Sequence, residues 1–275
     1  MIMRTINIVV IILASLYINA CVSVQTTEPG AIGLDRKQRM SSLVSASELE
    51  QGAATAYAQV LGEAKTQGSL NSNGPLTRRV RAIANKIIPT VGVFRKDALS
   101  WDWQVNVINS DQLNAWAMPG GKIAFYSGII EQLDLNDSEI AAIMGHEIAH
   151  ALREHSRERV SEETNKSLVI GILGAATGAS QGAQALADLA YQTTVGLPNS
   201  RLHETESDRI GVELMARAGY DPRAAINVWK KMSAASSGSS GPEFLSTHPS
   251  HDTRIKDLTT YAAKVMPLYL QASRS

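Results

Sequence analysis

His146-Glu147-Ile148-Ala149-His150 is an HExxH motif set inside a stretch of helical character. Residues four apart lie one above the other on a helix face, so both imidazoles reach one metal ion while Glu147 projects beside them toward a metal-activated water. The start of that helix is legible upstream. Asn136 caps it with Glu139 three residues on, a capping-box arrangement, and Asp137 adds negative charge at the N-terminal end. The pattern predicts an amphipathic helix from Asp137 to about Arg157.

A catalytic zinc takes three protein ligands and keeps one position open. The chain has one cysteine in 275 residues, which rules out an internal disulfide or a thiolate cluster and leaves His and carboxylate as ligands. A metzincin would need Gly at 153 and His at 156; Arg153 and Ser156 stand there instead. His155 lies about 140° round the helix from His150, a place for solvent or a local contact. The better third ligand is in Ser200-Arg201-Leu202-His203-Glu204-Thr205-Glu206-Ser207-Asp208, within a helix predicted from about Ser200 to Ala218. There Glu204 and Asp208 share a face, so Glu204 can bind zinc while Asp208 hydrogen-bonds a ligand imidazole. Glu206 points about 200° away.

Outward from these two helices, helical spacing also covers Leu49 to Ala64, Pro75 to Ile88, Pro222 to Ala234 and Asp252 to Val265. Trp101 to Ile108 alternates as a half-buried strand, and Asn114 to Met118 and Lys122 to Tyr126 flank a Pro119-Gly120-Gly121 turn. The expected fold class is therefore α+β: mainly helical, with a small antiparallel sheet and the HExxH helix at its centre. The segment Ser167 to Gly182, with Gly171, Gly174, Gly178 and Gly182, is expected to pack tightly on the core or, alternatively, to act as a mobile lid or membrane-contacting element.

At the N-terminus one charge, Arg4, precedes an apolar run from Ile6 to Ile18, the form of an export signal over residues 1–20. Ile18-Asn19-Ala20-Cys21 resembles a bacterial lipobox, with Asn19 departing from the small residue usual before Ala20. Cys21 is thus the expected lipidation site, 21–45 a flexible tether, and 46–275 the folded domain. Val22 after Cys21 favours, by resemblance to enterobacterial sorting, the outer membrane facing the periplasm. The 26 basic and 26 acidic residues balance, which leaves no field to attract nucleic acid.

The HEIAH motif, the later ExxxD pattern in SRLHETESD, the stretch Asn114-Ala115-Trp116-Ala117-Met118-Pro119-Gly120-Gly121, and His248-Pro249 with Arg254 together resemble the gluzincin metallopeptidase family of the CAAX prenyl proteases, HtpX and the mitochondrial Oma-type proteases. The likeness covers roughly Leu76 to Leu258 and is greatest to the exported bacterial type. It implies a zincin-type domain with one zinc ion per chain on His146, His150 and Glu204, Glu147 as the catalytic carboxylate, and Asp208 behind a ligand. Ser207 stands where the family commonly has Ala. Expected functions are endopeptidase action on unfolded or misassembled envelope proteins or, alternatively, chaperoning of outer-membrane protein assembly with latent peptidase activity. His248 and Arg254 are candidate oxyanion donors, and His248 could instead fill the open zinc position. Asn114 to Ala117 is the candidate edge strand for substrate backbone, with Trp116 shaping a side-chain pocket or lying in the core.

Overall fold

A computed structural model describes residues 21–42, 44–164, 179–235, 243–249 and 253–274. In chain order these form β1 (Cys21–Val24), β2 (Gln38–Ser41), α1 (Ala46–Thr66), α2 (Gly74–Ile87), two 3-10 turns (Ile88–Val93, Asp97–Ser100), β3 (Gln104–Ile108), β4 (Ala115–Met118), β5 (Lys122–Tyr126), α3 (Ser127–Glu131), α4 (Asp137–Leu152), α5 (His155–Thr164), α6 (Ala179–Tyr191), a π turn (Gln192–Gly196), α7 (Arg201–Arg217), α8 (Ala224–Ala235), α9 (Glu243–Thr247) and α10 (Arg254–Ala272). The mainly helical α+β class expected from the sequence is the one observed. The export signal over 1–20 and most of the Gly-rich segment lie outside the described residues.

The main sheet has the order β3-β5-β4. β4 runs antiparallel to β5, with Ala117 opposite Ile123, but β3 runs parallel to β5. The sheet is thus mixed rather than antiparallel: β5 returns between its two predecessors instead of extending a meander, a choice of strand order that local patterning does not encode. It leaves β4 at one edge. The two faces of β4 serve different cores. Ala115 and Ala117 join the main core, whereas Trp116 and Met118 join a satellite core under α1 and α6.

α4 begins with the capping box foreseen, Asn136 accepting from the Glu139 N–H and Glu139 reaching back to the Asn136 N–H. It is not amphipathic: Glu139 through Leu152 are all buried, because α2, α7, α8 and β4 pack around it. It also ends five residues early. Glu154 takes φ 51°, in the left-handed region, and breaks the helix before His155 opens α5.

The described residues of 21–45, expected to be a flexible tether, are folded onto the domain. β1 pairs with β2, and Ile32, Leu34, Met40 and Val44 are buried. The N–H groups of Ala31 and Ile32 donate to the two carboxylate oxygens of Glu213 on α7, at 3.0 and 2.9 Å, and Ser41 N–H donates to Ser161 Oγ at 2.7 Å. These are contacts with residues far along the chain, so they leave no local periodicity to read.

The pairing that matters most for the site is α4 against α7. Two glycines set its closeness. A Cβ on Gly145 would lie 2.7 Å from the Gly211 carbonyl oxygen, and a Cβ on Gly211 would lie 2.8 Å from the His146 nitrogen. Backbone meets backbone where His146 faces the turn after Asp208. Gly211→Val should cost about 1–3 kcal/mol, the range for overpacking, and weaken zinc binding by spreading the two helices. At Gly62 of α1 an added Cβ meets nothing, so Gly62→Ala serves as the control. Urea melts with a zinc titration check this; equal midpoints for wild type and Gly211→Val would refute it.

Candidate active site

α4 and α7 bring His146, His150 and Glu204 together as their spacing predicts, and the segment before α10 adds His248. One donor atom from each of the four lies within 4.8 Å of the others, and all four residues are buried. His146 Nε2 is 3.1 Å from His150 Nε2, and Glu204 reaches both imidazoles at 3.4 Å. His248 Nδ1 lies 2.9 Å from Glu204 Oε1 and 3.3 Å from His146 Nε2. Two imidazole nitrogens aimed at each other beside a carboxylate oxygen make a poor protein-only packing but a good N, N, O donor set for zinc.

Asp208, one turn beyond Glu204, is hydrogen-bonded to His146 Nδ1 at 2.9 Å. That bond fixes the tautomer that frees Nε2 for a metal. Burial alone would push both carboxyls up. For Glu204 the surrounding His248, Arg254 and His146 outweigh it and hold the group well below the usual carboxylate range. Asp208 is lowered against its own burial by Arg254 and His146. Burial lowers His150 well below the ordinary histidine value despite Glu204, so it stays a neutral ligand.

Arg254, a candidate oxyanion donor, has its guanidinium already engaged by carboxylates. Its guanidinium forks onto Asp208 at 2.6 and 2.7 Å, donates to Glu204 Oε2 at 2.7 Å, and lies 3.3 Å over the Trp229 ring. With these bonds committed, it braces the two carboxylates instead. The family resemblance brought Arg254 to the site but does not say which way it turns.

Glu147 is 2% exposed, and its Oε1 has no hydrogen-bond partner, although His248 Nε2 stands 3.4 Å away. Burial pushes its carboxyl up, opposed by His248 and His146 and by a hydrogen bond from the backbone of Ala117. That last bond places the outer edge of β4 against the catalytic motif. Within the stretch expected to pair with substrate, Asn114 instead caps the Ala115 N–H through its own Oδ1 at 2.9 Å. Trp116 is core: it packs edge-on against Tyr57 at 5.7 Å between ring centres.

The segment bearing His248 closes over the site. Phe244 stacks on the His248 ring at 4.2 Å, and its N–H donates to the Leu113 carbonyl just before β4. Asn199, ahead of α7, donates from both its backbone and side chain to the Thr247 carbonyl at 2.8 and 3.2 Å. Of the two places expected for His155, solvent or a local contact, the structure shows the second: it is wholly buried with Nδ1 2.9 Å from His150 Nδ1. The helix break at Glu154 turns it inward.

An HExxH helix crossed by a second helix that supplies a Glu four residues before an Asp defines a zinc metallopeptidase of the gluzincin kind. The chain belongs to peptidase family M48, whose model matches residues 75–262. It is 32% identical over 214 residues to the mitochondrial metalloendopeptidase OMA1 of Saccharomyces cerevisiae, covering 73% of this chain and 60% of that protein. Identity to the beta-barrel assembly-enhancing protease is 29% over 200 residues in Yersinia pestis (70% of this chain, 40% of that one) and 31% over 175 residues in Escherichia coli K12 (61% and 36%). The aligned part thus spans 60% or less of each of these relatives. No helix among the described residues is long and apolar enough to cross a membrane.

Proposed function

We propose that this protein is a zinc-dependent endopeptidase that cleaves unfolded or misassembled envelope proteins, tethered by a lipid on Cys21 to the periplasmic face of a bacterial outer membrane. The observation that carries the reading is the convergence of His146, His150 and Glu204 beside a buried Glu147 with a free carboxylate oxygen. Zinc held by those three residues supplies the Lewis acid that acidifies water and polarises the scissile carbonyl. Glu147 takes the proton from the attacking water and returns it to the leaving nitrogen, and a carboxyl raised by burial is suited to both steps. Asp208 and Arg254 hold the ligands still. Extended substrate aligns along the outer edge of β4 once Glu147 turns from the Ala117 backbone to the attacking water, a capture by backbone that suits chains lacking tertiary structure. The lipobox-like residues before Cys21 and the names of the bacterial relatives support the envelope setting.

A second reading follows from the closed state of the site. With His248 as a fourth ligand beside His146, His150 and Glu204, zinc would keep no open position; the enzyme would then be latent until the 243–249 segment moves, with chaperoning of outer-membrane assembly as its resting role. One experiment bears on both readings. Zinc-loaded protein should cleave casein, lose that activity to a chelator and regain it with added zinc. His248→Ala should cleave several-fold faster if His248 is the latch, whereas a slower rate assigns it to the oxyanion and unchanged rate and zinc affinity remove both roles. Incorporation of labelled palmitate, lost in Cys21→Ser, tests the anchor. Absence of chelator-sensitive cleavage in both wild type and His248→Ala would reject the peptidase reading.

A further inference from the structure

A second group of metal-capable side chains, His155, Glu158 and His203, lies beside the first, with donor atoms within 4.8 Å. Its chemistry argues against an ion. Glu158 already accepts a two-pronged bond from Arg36 at 2.7 and 2.8 Å, the Gln38 amide at 2.9 Å and His203 Nε2 at 3.1 Å. Those bonds leave no lone pair aimed at a cation, and the Arg36 guanidinium would repel one. The histidine of this group that faces the metal ligands has another task.

His150 Nδ1 is 2.9 Å from His155 Nδ1, and His155 Nε2 is 3.0 Å from Glu206 Oε2. Glu206 is itself anchored: Arg153 Nε and Arg36 Nη2 each donate to that same oxygen at 3.0 Å. If His150 ligates through Nε2, its proton sits on Nδ1 and donates to His155 Nδ1. His155 then carries its proton on Nε2 and donates it to the carboxylate. One arrangement of protons satisfies every bond in the row.

We propose that His155 and Glu206 are positioning residues for zinc, a carboxylate–imidazole relay that fixes the tautomer and ring plane of His150 as Asp208 does directly for His146. The proposal rests on His146, His150 and Glu204 being the zinc ligands. It gives each ligand imidazole its own carboxylate, one at first hand and one through a second ring. His155 is also held in plane by stacking on His203, with ring centres 4.2 Å apart.

The test uses the full chain in three forms: wild type, His155→Phe, which keeps an aromatic ring against His203 but cannot hydrogen-bond, and His155→Gln, which keeps an acceptor. Chelator competition for zinc, the visible spectrum of the cobalt-substituted protein and the melting temperature of the metal-free protein are read together. Loss of an outer hydrogen-bond partner of a ligand typically costs about 10–100-fold in metal affinity, and that loss is expected for His155→Phe, with an altered cobalt spectrum, on top of a lowered metal-free melt from the two buried hydrogen bonds removed. His155→Gln should recover part of the affinity. Should the Phe variant not fold, the Gln variant is expected to show a smaller affinity loss of the same kind. Wild-type affinity and cobalt spectrum in a folded Phe variant, or in the Gln variant should the Phe variant not fold, would overturn the proposal, as would a lowered metal-free melt with unchanged affinity. A wild type that takes up no stoichiometric zinc would overturn the ligand assignment itself, and its own titration reveals that separately.

Discussion

Glu147→Gln is expected to keep its zinc and lose about 10²–10⁴-fold in kcat/KM on casein, the share that a positioned acid–base group contributes. The substitution is isosteric, and Glu147 is not among the residues whose donor atoms converge, so metal content should not change. What the amide lacks is the lone pair that takes a proton and the acidity that returns it. The same change should make the metal-free protein no less stable. Burial raises the Glu147 carboxyl, so its folded-state pKa lies above the unfolded value. For an acid this sign means that ionisation disfavours the fold above that pH, and a neutral amide escapes the penalty. A variant with zinc bound, a melting temperature at or above wild type and activity near background is the expected result, read by metal analysis, calorimetry and a cleavage time course. Retention of more than a tenth of wild-type activity would transfer the proton step to another group.

The site was more legible in the sequence than the frame around it. Asn136 and Glu139 announce the start of α4 because a capping box is a local device, and Glu204 with Asp208 can be read from spacing because α7 is regular over both. Glu154 is different. It adopts φ 51° with no glycine to signal it, and that one residue turns His155, for which the sequence left both solvent and a local contact open, into the row behind His150. Gly145 and Gly211 look like mild defects within their own helices; only their juxtaposition shows that they set the approach of α4 to α7. The segment after Cys21 reads as a tether because its donors serve Glu213, Glu158 and Glu206, carboxylates that lie more than a hundred residues away. Arg254 sits between these cases, its neighbourhood readable and its direction not.

Arg254→Met tests that direction. Arg254 is 1% exposed and carries the compensating charge for two buried carboxylates. Methionine keeps much of the length and the contact with Trp229 but none of the charge, so Asp208 and Glu204 are left ionised and unpaired on that side. Removing one member of a buried pair costs about 3–5 kcal/mol, and a loss of that size is expected at neutral pH from urea melts of the metal-free protein. Both carboxyls are held low in the wild type, so its stability from them is present above their unfolded pKa and is lost as pH falls through the depressed folded values. In the variant burial is no longer opposed by Arg254, and the two groups accept protons at higher pH. The gap between the two proteins should therefore be widest near neutrality and narrow on acidification. Saturating zinc should close part of it, since an ion held by Glu204 would restore positive charge there, whereas Asp208 is not among the converging donors. A loss below about 1 kcal/mol, the scale of an exposed ion pair, would mean that Arg254 is not braced against these carboxylates in solution and would return it to the list of groups free to meet an oxyanion.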